Sequence, residues 1–261
     1  MKIAVTGKGG VGKTTVADAL ARIFAERGLK VLAIDVDSNP NLALALGLTP
    51  EEAAKIVPLS ENASLIESKT GAKPGSSYGG VFRLSFTVDD IIENFSVQTP
   101  SGVRLLVVGT VKSAEGGCMC PSNVLIRSLL AYLTIKVDEV VVMDMEAGVE
   151  HLGRGTAKHV DLMLIVTEPS VKSLETSVRI RELAEQMGVT KIVAIGNKIS
   201  NEGDERLVRD FCNRRGLKLL GLLSFDEDVL DADRGGILLD LKGPSKSVKA
   251  LYEVADKILS I

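Results

Sequence analysis

A loop rich in glycine and lysine constrains this chain more than any other feature of its sequence. Residues 7–14 read G-K-G-G-V-G-K-T, and they follow an apolar run at residues 3–5 that is typical of a short strand. After the loop, apolar residues recur at helical spacing until Gly28. The pattern G-x-x-x-x-G-K-[ST] between a strand and a helix is typical of a phosphate-binding loop, because its backbone N–H groups close around phosphate oxygens. We therefore expect an α/β fold with a nucleotide at one edge of its sheet.

The residue types of the loop assign separate tasks to its members. The glycines and the start of the following helix supply backbone N–H groups and a helix dipole for the phosphates. In loops of this kind the Lys13 ammonium holds the β and γ phosphates, and the Thr14 hydroxyl coordinates Mg²⁺. The expected ligand is therefore ATP or ADP with Mg²⁺. The residues assigned to phosphate binding are Gly9, Gly10, Val11, Gly12, Lys13, Thr14 and Thr15.

Apolar runs and helical patterns alternate along the rest of the chain. Unbroken apolar runs suit strands that are buried on both faces. They occur at residues 31–34, 105–108, 140–143, 162–166, 192–195 and 219–223. Helical patterns at residues 171–187 and 205–215 separate several runs, as in a doubly wound, mostly parallel sheet flanked by helices. We expect residues 1–261 to form one P-loop ATPase domain of this α/β class, with a mobile surface excursion at residues 59–80, which are rich in Ser, Gly and Lys.

The charge balance and the cysteine count exclude several classes of partner. The chain has 31 basic and 34 acidic residues, a formal charge of -3, and no block of Lys and Arg, so we expect no nucleic-acid partner. No apolar run approaches the ~18 residues that span a bilayer, and no charged region precedes the first apolar run as in a secretion signal. We expect a cytoplasmic protein without a membrane partner. Three cysteines do not form a disulfide framework, and they fit a reducing compartment.

Acidic side chains follow two of the predicted strands at the edge where the loop lies. Asp35 and Asp37 end the second strand as Asp-x-Asp, and Asp144 ends the apolar run at residues 140–143. The carboxyl ends of parallel strands meet the ligand crevice of such sheets, so we interpret these carboxylates as part of the nucleotide site and not as simple helix caps. Asp144 is the candidate for holding Mg²⁺ through its waters. Gly148 supplies the backbone freedom that a sensor of the γ-phosphate needs.

Lys8 adds a second lysine to the loop, and residues 8–14 resemble the deviant Walker A motif of the MinD, ParA and nitrogenase iron protein class of ATPases. In that class the lysine equivalent to Lys8 reaches across a dimer interface to the partner's nucleotide, where it acts as an arginine finger does. The resemblance implies a homodimer that ATP promotes, with Lys8 and Lys13 as catalytic residues. It also implies that Asp37 positions or activates the attacking water and that Asp35 helps to fix the magnesium shell.

The same resemblance assigns residues to the nucleoside. Asn197, which follows a predicted strand, resembles the Asn that reads adenine in this class. The loop formed by Ser224, Phe225 and Asp226 follows the next predicted strand and is expected to form a second wall of the pocket. Phe225 is equally compatible with a place in the core. Asn41 stands where the nitrogenase iron protein carries an aspartate, and we give it no catalytic role.

Cys118 and Cys120 are separated by a single residue. Tetrahedral sites for soft metals need about four ligands, and the sequence offers no second pair of cysteines. A twofold dimer brings the same patch together twice, so two chains could supply two thiolates each. The metal is open among zinc, nickel, copper(I) and iron, and burial of the pair as small residues is the alternative. Cys212 lies in a helical pattern and is expected in the core.

Three segments together resemble the CooC-type accessory ATPases of carbon monoxide dehydrogenase maturation. They are residues 8–15, the pair Cys118 and Cys120, and residues 144–155 with the sequence D-M-E-A-G-V-E-H-L-G-R-G. The resemblance extends over essentially the whole chain. It implies ATP-dependent insertion of nickel into the nickel–iron–sulfur cluster of the dehydrogenase, with the dehydrogenase as client and nickel or zinc at the cysteine pair. His151 and His159 are expected to be structural, since thiolates suffice for a soft or borderline metal.

Two other functions share these motifs. In an electron-transfer ATPase like the nitrogenase iron protein, two cysteines per chain hold a four-iron cluster, but those ligands lie far apart in sequence. In a positioning ATPase of the MinD kind, a C-terminal helix binds membranes. Residues 245–261 form an amphipathic pattern with Leu251 and Ile258 on its apolar side, but its polar side is only weakly basic. We expect this helix to dock on the sheet instead.

Overall fold

The computed structural model describes residues 1–73, 87–109, 121–133, 139–146 and 160–261. Its strands are β1 Lys2–Gly7, β2 Lys30–Asp35, β3 Val97–Gln98, β4 Arg104–Val107, β5 Glu139–Asp144, β6 Leu162–Thr167, β7 Ile192–Ile199 and β8 Leu219–Ser224. They form one sheet in the order β3-β4-β2-β5-β1-β6-β7-β8, in which every neighbouring pair is parallel except β3 with β4. The doubly wound, mostly parallel sheet expected from the sequence is confirmed.

Helices connect these strands and cover both faces of the sheet. They are α1 Lys13–Glu26, α2 Leu42–Ala45, α3 Pro50–Ala53, α4 Ala63–Thr70, α5 Val88–Phe95, α6 Pro121–Tyr132, α7 Val171–Gln186, α8 Glu202–Arg215, α9 Glu227–Gly235 and α10 Lys246–Leu259. The two helical patterns predicted between the later strands correspond to α7 and α8. Within the described ranges, no helix is both long enough and apolar enough to cross a bilayer.

Alternate residues of the strands face two separate apolar clusters. Ile3 and Val5 of β1 pack in the first cluster with α1, α2 and α10, whereas Ala4 between them packs in the second cluster with α4, α6 and α7. Side chains alternate along a strand, so a strand that is buried on both faces needs apolar residues at every position. This requirement explains why the strands read as unbroken apolar runs in the sequence.

Helix α10 completes the first cluster by packing on β8 and α1. Ser245 caps the helix, since its hydroxyl accepts a hydrogen bond from the Val248 amide at 3.0 Å. Its apolar side is buried at Val248, Leu251, Val254, Ala255 and Ile258. The expected docking of this helix on the sheet is therefore confirmed, although Leu259 at its end is 39% exposed.

The predicted surface excursion at residues 59–80 is wrong for its first part. Asn62 caps α4 by accepting a hydrogen bond from the Leu65 amide at 3.0 Å. Leu65 and Ile66 are buried in the second cluster, where α4 packs against α6. The serines of this helix lie on its exposed side, which gave the segment a composition typical of a loop. Residues 74–80 lie outside the described part of the chain.

Candidate functional site

A cavity of about 490 Å³ opens at the carboxyl edge of the sheet, beside the loop that joins β1 to α1. Ligands of open α/β sheets bind at this edge. The predicted site residues that line it are Gly10, Gly12, Lys13, Thr14, Thr15, Asn197, Ser224, Phe225 and Asp226. Gly9 is exposed in the loop, and Val11 is buried in the first cluster. Neither residue lines the cavity. The structure thus brings the predicted phosphate residues and nucleoside residues to one cavity.

Two glycines allow the loop to approach the neighbouring strands. A Cβ on Gly7 would lie 2.2 Å from the carbonyl oxygen of Val166 in β6. A Cβ on Gly12 would lie 2.4 Å from the side-chain Nδ2 of Asn197 in β7. Gly12 also has a φ of 91°, which favours glycine. A larger residue at either position would push the loop away from the sheet. Packing against β6 and β7 therefore explains both glycines.

The N-terminus of α1 has no cap from a protein side chain. Gly12 occupies the N-cap position, and the first turn carries no acidic residue. The first amides of a helix lack partners within the helix, and the helix dipole places partial positive charge beside them. The Lys13 side chain, which is buried at this end of the helix, adds a full positive charge. This combination is suited to bind the phosphates of a nucleotide.

Asp144 is almost fully buried, and only one of its oxygens is hydrogen-bonded. Its Oδ2 accepts a hydrogen bond from the Thr14 hydroxyl at 2.6 Å, whereas its Oδ1 has no partner among the described residues. Burial raises the pKa of Asp144 to about 7, although the hydrogen bond from Thr14 acts in the opposite direction. A buried carboxylate with an unpaired oxygen requires a cation or a donor. Oxygen ligands of this kind suit Mg²⁺, so Asp144 and Thr14 fit an ion that binds with a nucleotide.

Asp35 anchors the loop that follows β2. The residue is fully buried, and its Oδ1 and Oδ2 accept hydrogen bonds from the amides of Asp37 at 3.1 Å and Leu42 at 2.9 Å. Burial raises the pKa of Asp35 to about 6, and these hydrogen bonds oppose the rise. The carboxylate therefore holds both ends of the loop that carries Asp37. Asp35 was expected in the magnesium shell, and this anchoring contact was not predicted.

The loop that carries Asp37 is joined to the residue that follows β5. Asp37 is half-buried, and its Oδ1 accepts a hydrogen bond from the Asn39 amide at 2.9 Å. The Ser38 hydroxyl donates a hydrogen bond to Oε1 of Glu146. The Thr6 hydroxyl donates to the carbonyl oxygen of Glu146 at 3.0 Å. The segments after β2 and β5 are thus physically linked beside the phosphate-binding loop.

Two side chains at the end of β7 are hydrogen-bonded to the phosphate-binding loop. Asn197 Nδ2 donates to the carbonyl oxygen of Val11 at 2.8 Å, and Lys198 Nζ donates to that of Gly10 at 2.6 Å. The Asn197 amide keeps a second N–H, so a contact with adenine stays a prediction. The sequence analysis gave Lys198 no role of its own, because nothing in the sequence indicates that β7 ends against the loop.

The far side of the cavity is formed by residues 224–237, which we call the distal wall. Phe225 is 46% exposed and lines the cavity, so its alternative interpretation as a core residue is wrong. Asp226 caps α9 by accepting a hydrogen bond from the Asp228 amide at 3.0 Å, and it also accepts one from the Ser245 hydroxyl. The sequence analysis missed the apolar contribution of α9 and its flank. These cavity-lining residues are Val229, Leu230, Ala232 and Ile237.

Asp18 is a third buried carboxylate, it lines the cavity, and it was not predicted from the sequence. It is 2% exposed, its Oδ2 lies 3.3 Å from Arg22 Nη1, and its Oδ1 has no partner among the described residues. Burial raises the pKa of Asp18 to about 7, while the charge of Arg22 opposes the rise. Its position one turn after Thr14 on the same helix was the available signal.

The predicted ligands of the soft metal, Cys118 and Cys120, lie outside the described residues, as do Gly148, His151 and His159. In the part of the chain that is described, no group of three or more His, Cys, Asp or Glu side chains could hold a metal ion. Cys212 is 1% exposed, and burial raises the pKa of its thiol, so its predicted place in the core is confirmed.

Known proteins resemble this chain over nearly its whole length. The model of the CobQ/CobB/MinD/ParA nucleotide-binding domain matches residues 2–239. The chain is 45% identical over 262 residues to an uncharacterized ATP-binding protein of Methanocaldococcus jannaschii, which covers 100% of this chain and 98% of that protein. It is 43% identical over 237 residues to the carbon monoxide dehydrogenase accessory protein CooC of Rhodospirillum rubrum, which covers 91% of this chain and 88% of that protein.

A solved structure supports the fold independently. The MinD cell division protein of Aquifex aeolicus has a TM-score of 0.70 at 23% identity, and the match covers 100% of this chain and 97% of that one. Identity at this level supports the fold alone. The family match and the relatives above 40% identity also support nucleotide binding. The chain therefore belongs to the CobQ/CobB/MinD/ParA family of nucleotide-binding proteins and is an ATPase.

Proposed function

We propose that this ATPase is an accessory protein that inserts nickel into the nickel–iron–sulfur cluster of a carbon monoxide dehydrogenase. The observation that carries the proposal is the 43% identity to the accessory protein CooC, which extends over 91% of this chain. The segments most specific to that resemblance are the pair Cys118 and Cys120 and residues 144–155. ATP with Mg²⁺ drives the proposed cycle, nickel is its cargo and the dehydrogenase is its client.

The first step of the cycle is binding of the triphosphate by the loop at residues 8–15. The first amides of α1 donate to phosphate oxygens, and the buried Lys13 neutralises the β and γ phosphates. The Thr14 hydroxyl, and Asp144 through its waters, would hold Mg²⁺, which would neutralise part of the charge on the phosphates. Asp37 orients the attacking water, since its loop is anchored at the end of β2.

Hydrolysis is sensed by the linked segments after β2 and β5. Glu146 is hydrogen-bonded to Ser38 in one segment, and it lies two residues before Gly148 in the other. A sensor of the γ-phosphate at Gly148 would lose its contact when the phosphate leaves. The hydrogen bond between Ser38 and Glu146 then carries this change to the loop of Asp37.

Lys8 provides the proposed link between two subunits. Its side chain is half-exposed at the open edge of the loop, and its ammonium forms no ion pair within the described ranges. A cation in this position is available to the phosphates of a second subunit, where it offsets the charge of the transition state. ATP therefore favours a closed homodimer, which requires that ATP bind the closed dimer more tightly than the open one.

The segment that carries the cysteine pair lies between Gly109, which follows β4, and Pro121, the first residue of α6. The amide of Gly109, the last described residue before the pair, donates to the carbonyl oxygen of Asp35 at 3.1 Å. Helix α6 begins at Pro121, directly after Cys120. A change at Asp35 on dimer closure therefore acts on the segment that carries the cysteines. Four thiolates from two subunits form the proposed site for nickel or zinc.

The competing membrane and electron-transfer functions have weaker support. Leu251 and Ile258, the apolar residues that a membrane-binding helix would use, are buried at 2% and 0% exposure against the sheet. The cysteines lie one residue apart, whereas the ligands of the nitrogenase iron protein are distant in sequence. Nickel insertion therefore accounts for more of the observations.

Activation of nickel-free carbon monoxide dehydrogenase at limiting nickel tests the proposed function. Wild-type protein with MgATP is expected to increase the activation, whereas Lys8→Ala and the double variant Cys118→Ser/Cys120→Ser are not. Lys30→Ala and Cys212→Ala serve as matched controls, because Lys30 is exposed at the opposite edge of the sheet and Cys212 is the remaining thiol. Equal activation by the double cysteine variant would refute the metal site. No activation by a wild-type protein that hydrolyses ATP would refute the client.

A further inference from the structure

The end of β7 carries a backbone irregularity that the proposed cycle does not use. Lys198 has a φ of 59°, the only positive φ of a non-glycine residue in the described part of the chain. The pairing of β7 with β8 shifts its register between Gly196 and Ile199, on either side of this residue. A left-handed backbone is strained for lysine and persists only where surrounding contacts require it. Irregularities of this kind in a strand redirect its side chains.

Asn197 and Lys198 direct their side chains to the same loop. In a regular strand two consecutive side chains point to opposite faces. Here Asn197 Nδ2 donates to the Val11 carbonyl oxygen at 2.8 Å, and Lys198 Nζ donates to the Gly10 carbonyl oxygen at 2.6 Å. Asn197 Oδ1 also accepts a hydrogen bond from the Lys198 amide at 2.9 Å, which fixes the two residues relative to each other. The irregularity thus allows two neighbours to hold two consecutive carbonyl groups.

These two hydrogen bonds fix the direction of the peptide planes in the loop. In a trans peptide the carbonyl of one residue and the N–H of the next point in opposite directions. Because the carbonyls of Gly10 and Val11 point to β7, the N–H groups of Val11 and Gly12 point away from it. The Val11 N–H donates only a long hydrogen bond, of 3.4 Å, to the Lys8 carbonyl oxygen. Inward N–H groups are the means by which such loops bind phosphate.

We propose that Lys198 is a positioning residue that holds the phosphate-binding loop in its binding conformation. Glu168, which follows β6, attracts the ammonium of Lys198, since its Oε2 lies 3.9 Å from Lys198 Nζ. This role rests on the proposed nucleotide binding and deepens it. The end of β7, which carries the predicted adenine contact Asn197, would also set the geometry of the phosphate-binding loop. Lys198 acts through its hydrogen bond to the carbonyl oxygen of Gly10.

Three substitutions of Lys198 separate positioning from folding. Lys198→Met removes the ammonium, Lys198→Gly removes it and also relieves the left-handed strain, and Lys198→Arg restores a charged donor. Lys30→Met is the matched control, because Lys30 is an exposed lysine at the opposite edge of the sheet. Calorimetry measures the affinity for MgATP, competition measures the affinity for inorganic tripolyphosphate, and thermal melting measures the fold.

Lys198→Met and Lys198→Gly are expected to weaken MgATP binding about tenfold, the scale of one charge-assisted hydrogen bond. Tripolyphosphate binding falls by the same factor, because the defect lies in the loop and not at the base. Lys198→Arg recovers most of the affinity, and Lys30→Met retains all of it. The melting midpoint of Lys198→Gly equals or exceeds that of the wild type, since the substitution removes backbone strain.

Other results would overturn the positioning role, and they distinguish its failure from failure of the proposed function. Unchanged MgATP affinity in Lys198→Met and Lys198→Gly would overturn the positioning role and leave nucleotide binding intact. A loss for MgATP without a loss for tripolyphosphate would make Lys198 a contact of the base. A lower melting midpoint in all three variants would make it a residue of the fold. Failure of the wild type to bind MgATP would refute the proposed function itself.

Discussion

The cavity has a phosphate end, formed by the loop at residues 8–15 and the carboxylates beside it, and the distal wall. These two regions are held in different ways. At the phosphate end, Val11 and Lys13 are buried, and two side chains of β7 hold the loop by hydrogen bonds. In the distal wall, no residue of α9 is buried, and Phe225 and Ile237 are 46% and 68% exposed. Segments with few buried contacts open at low cost, whereas packed segments keep their geometry. We therefore expect the triphosphate to meet a preformed site and the base to meet a wall that closes around it.

The phosphate end gains its fixed geometry at a cost in stability. Burial raises the pKa values of Asp18 and Asp144 to about 7 and that of Asp35 to about 6. A buried carboxylate that ionises without a full set of partners destabilises the fold. The distal wall carries no comparable group, since Asp226 and the acidic residues of α9 are at most half-buried. Functional strain is thus concentrated where the phosphates bind.

The largest effect is expected for Lys8→Ala at the phosphate end. Its steady-state rate of ATP hydrolysis should fall by about a thousandfold, because a cation supplied by a second subunit contributes on this scale to phosphoryl transfer. MgATP affinity of the single chain should change little, since Lys13 and the amides of α1 remain. Phosphate release measures the rate, and Lys30→Ala is the control. A rate near that of the wild type would remove Lys8 from the chemistry.

Asp144→Asn is expected to weaken MgATP binding by roughly 30-fold, because it removes a charged oxygen ligand. The same substitution should raise the melting midpoint of the nucleotide-free protein at pH 8 by about 3 °C. The folded pKa of about 7 lies above the ordinary value of 3.8, so the folded state binds the proton more tightly and loses stability as pH rises from about 4 to about 7. Only the wild type carries this ionised carboxylate at pH 8.

Melting at two pH values checks the sign of this effect. At pH 5 the difference between Asp144→Asn and the wild type should shrink, because Asp144 is then protonated in the folded state. Asp210→Asn is the matched control, since Asp210 is an exposed aspartate of α8. A variant that melts below the wild type at pH 8 would contradict the assignment of strain to the phosphate end.

Phe225→Ala tests the distal wall and should have a smaller effect. MgATP affinity is expected to fall by about fivefold to tenfold, at the low end of the range for stacking of a base on an aromatic ring, because the ring is half-exposed. Tripolyphosphate affinity should not change, since it has no base. Phe211→Ala is the control, because its ring packs on Arg215 of α8. Equal losses for both ligands would mean that the distal wall acts on the phosphate end.

Hydrogen exchange compares the two regions without a substitution. The amides of α9 should exchange quickly in the nucleotide-free protein and about tenfold more slowly with MgATP, because closure of the wall protects them. The amides of α1 should exchange slowly in both states, since most of this helix is buried. Equal protection of α9 with and without MgATP would show that the wall is already closed.

Local patterns predicted the phosphate end well. The loop at residues 7–14 and the acids Asp35 and Asp144 stand directly at strand ends, so sequence spacing alone brings them to one edge of the sheet. The contact of Lys198 with Gly10 joins residues 188 positions apart and depends on a left-handed backbone. No periodicity in the sequence encodes such a contact.

Composition was a poorer guide than periodicity. Residues 59–73 were expected in a surface excursion because of their polar composition, yet Leu65 and Ile66 of α4 form part of the core. The adjacent pair of apolar residues with an Asn N-cap was the signal of a short helix. The part of the distal wall formed by α9 was missed for a related reason, since four of the nine residues of α9 are acidic and its apolar side faces a cavity and not the core.

In the proposed cycle, ATP closes a homodimer that holds a metal between its two cysteine pairs. The most direct test measures metal content and oligomeric state together, with and without MgATP, on Asp37→Ala, which is expected to bind MgATP and to hydrolyse it slowly. The account predicts a dimer with one nickel or zinc ion per two chains in the presence of MgATP, and loss of the metal when Cys118→Ser and Cys120→Ser are added. Metal binding that is unchanged in the variant without these cysteines, or a monomer that keeps a full complement of metal, would contradict it.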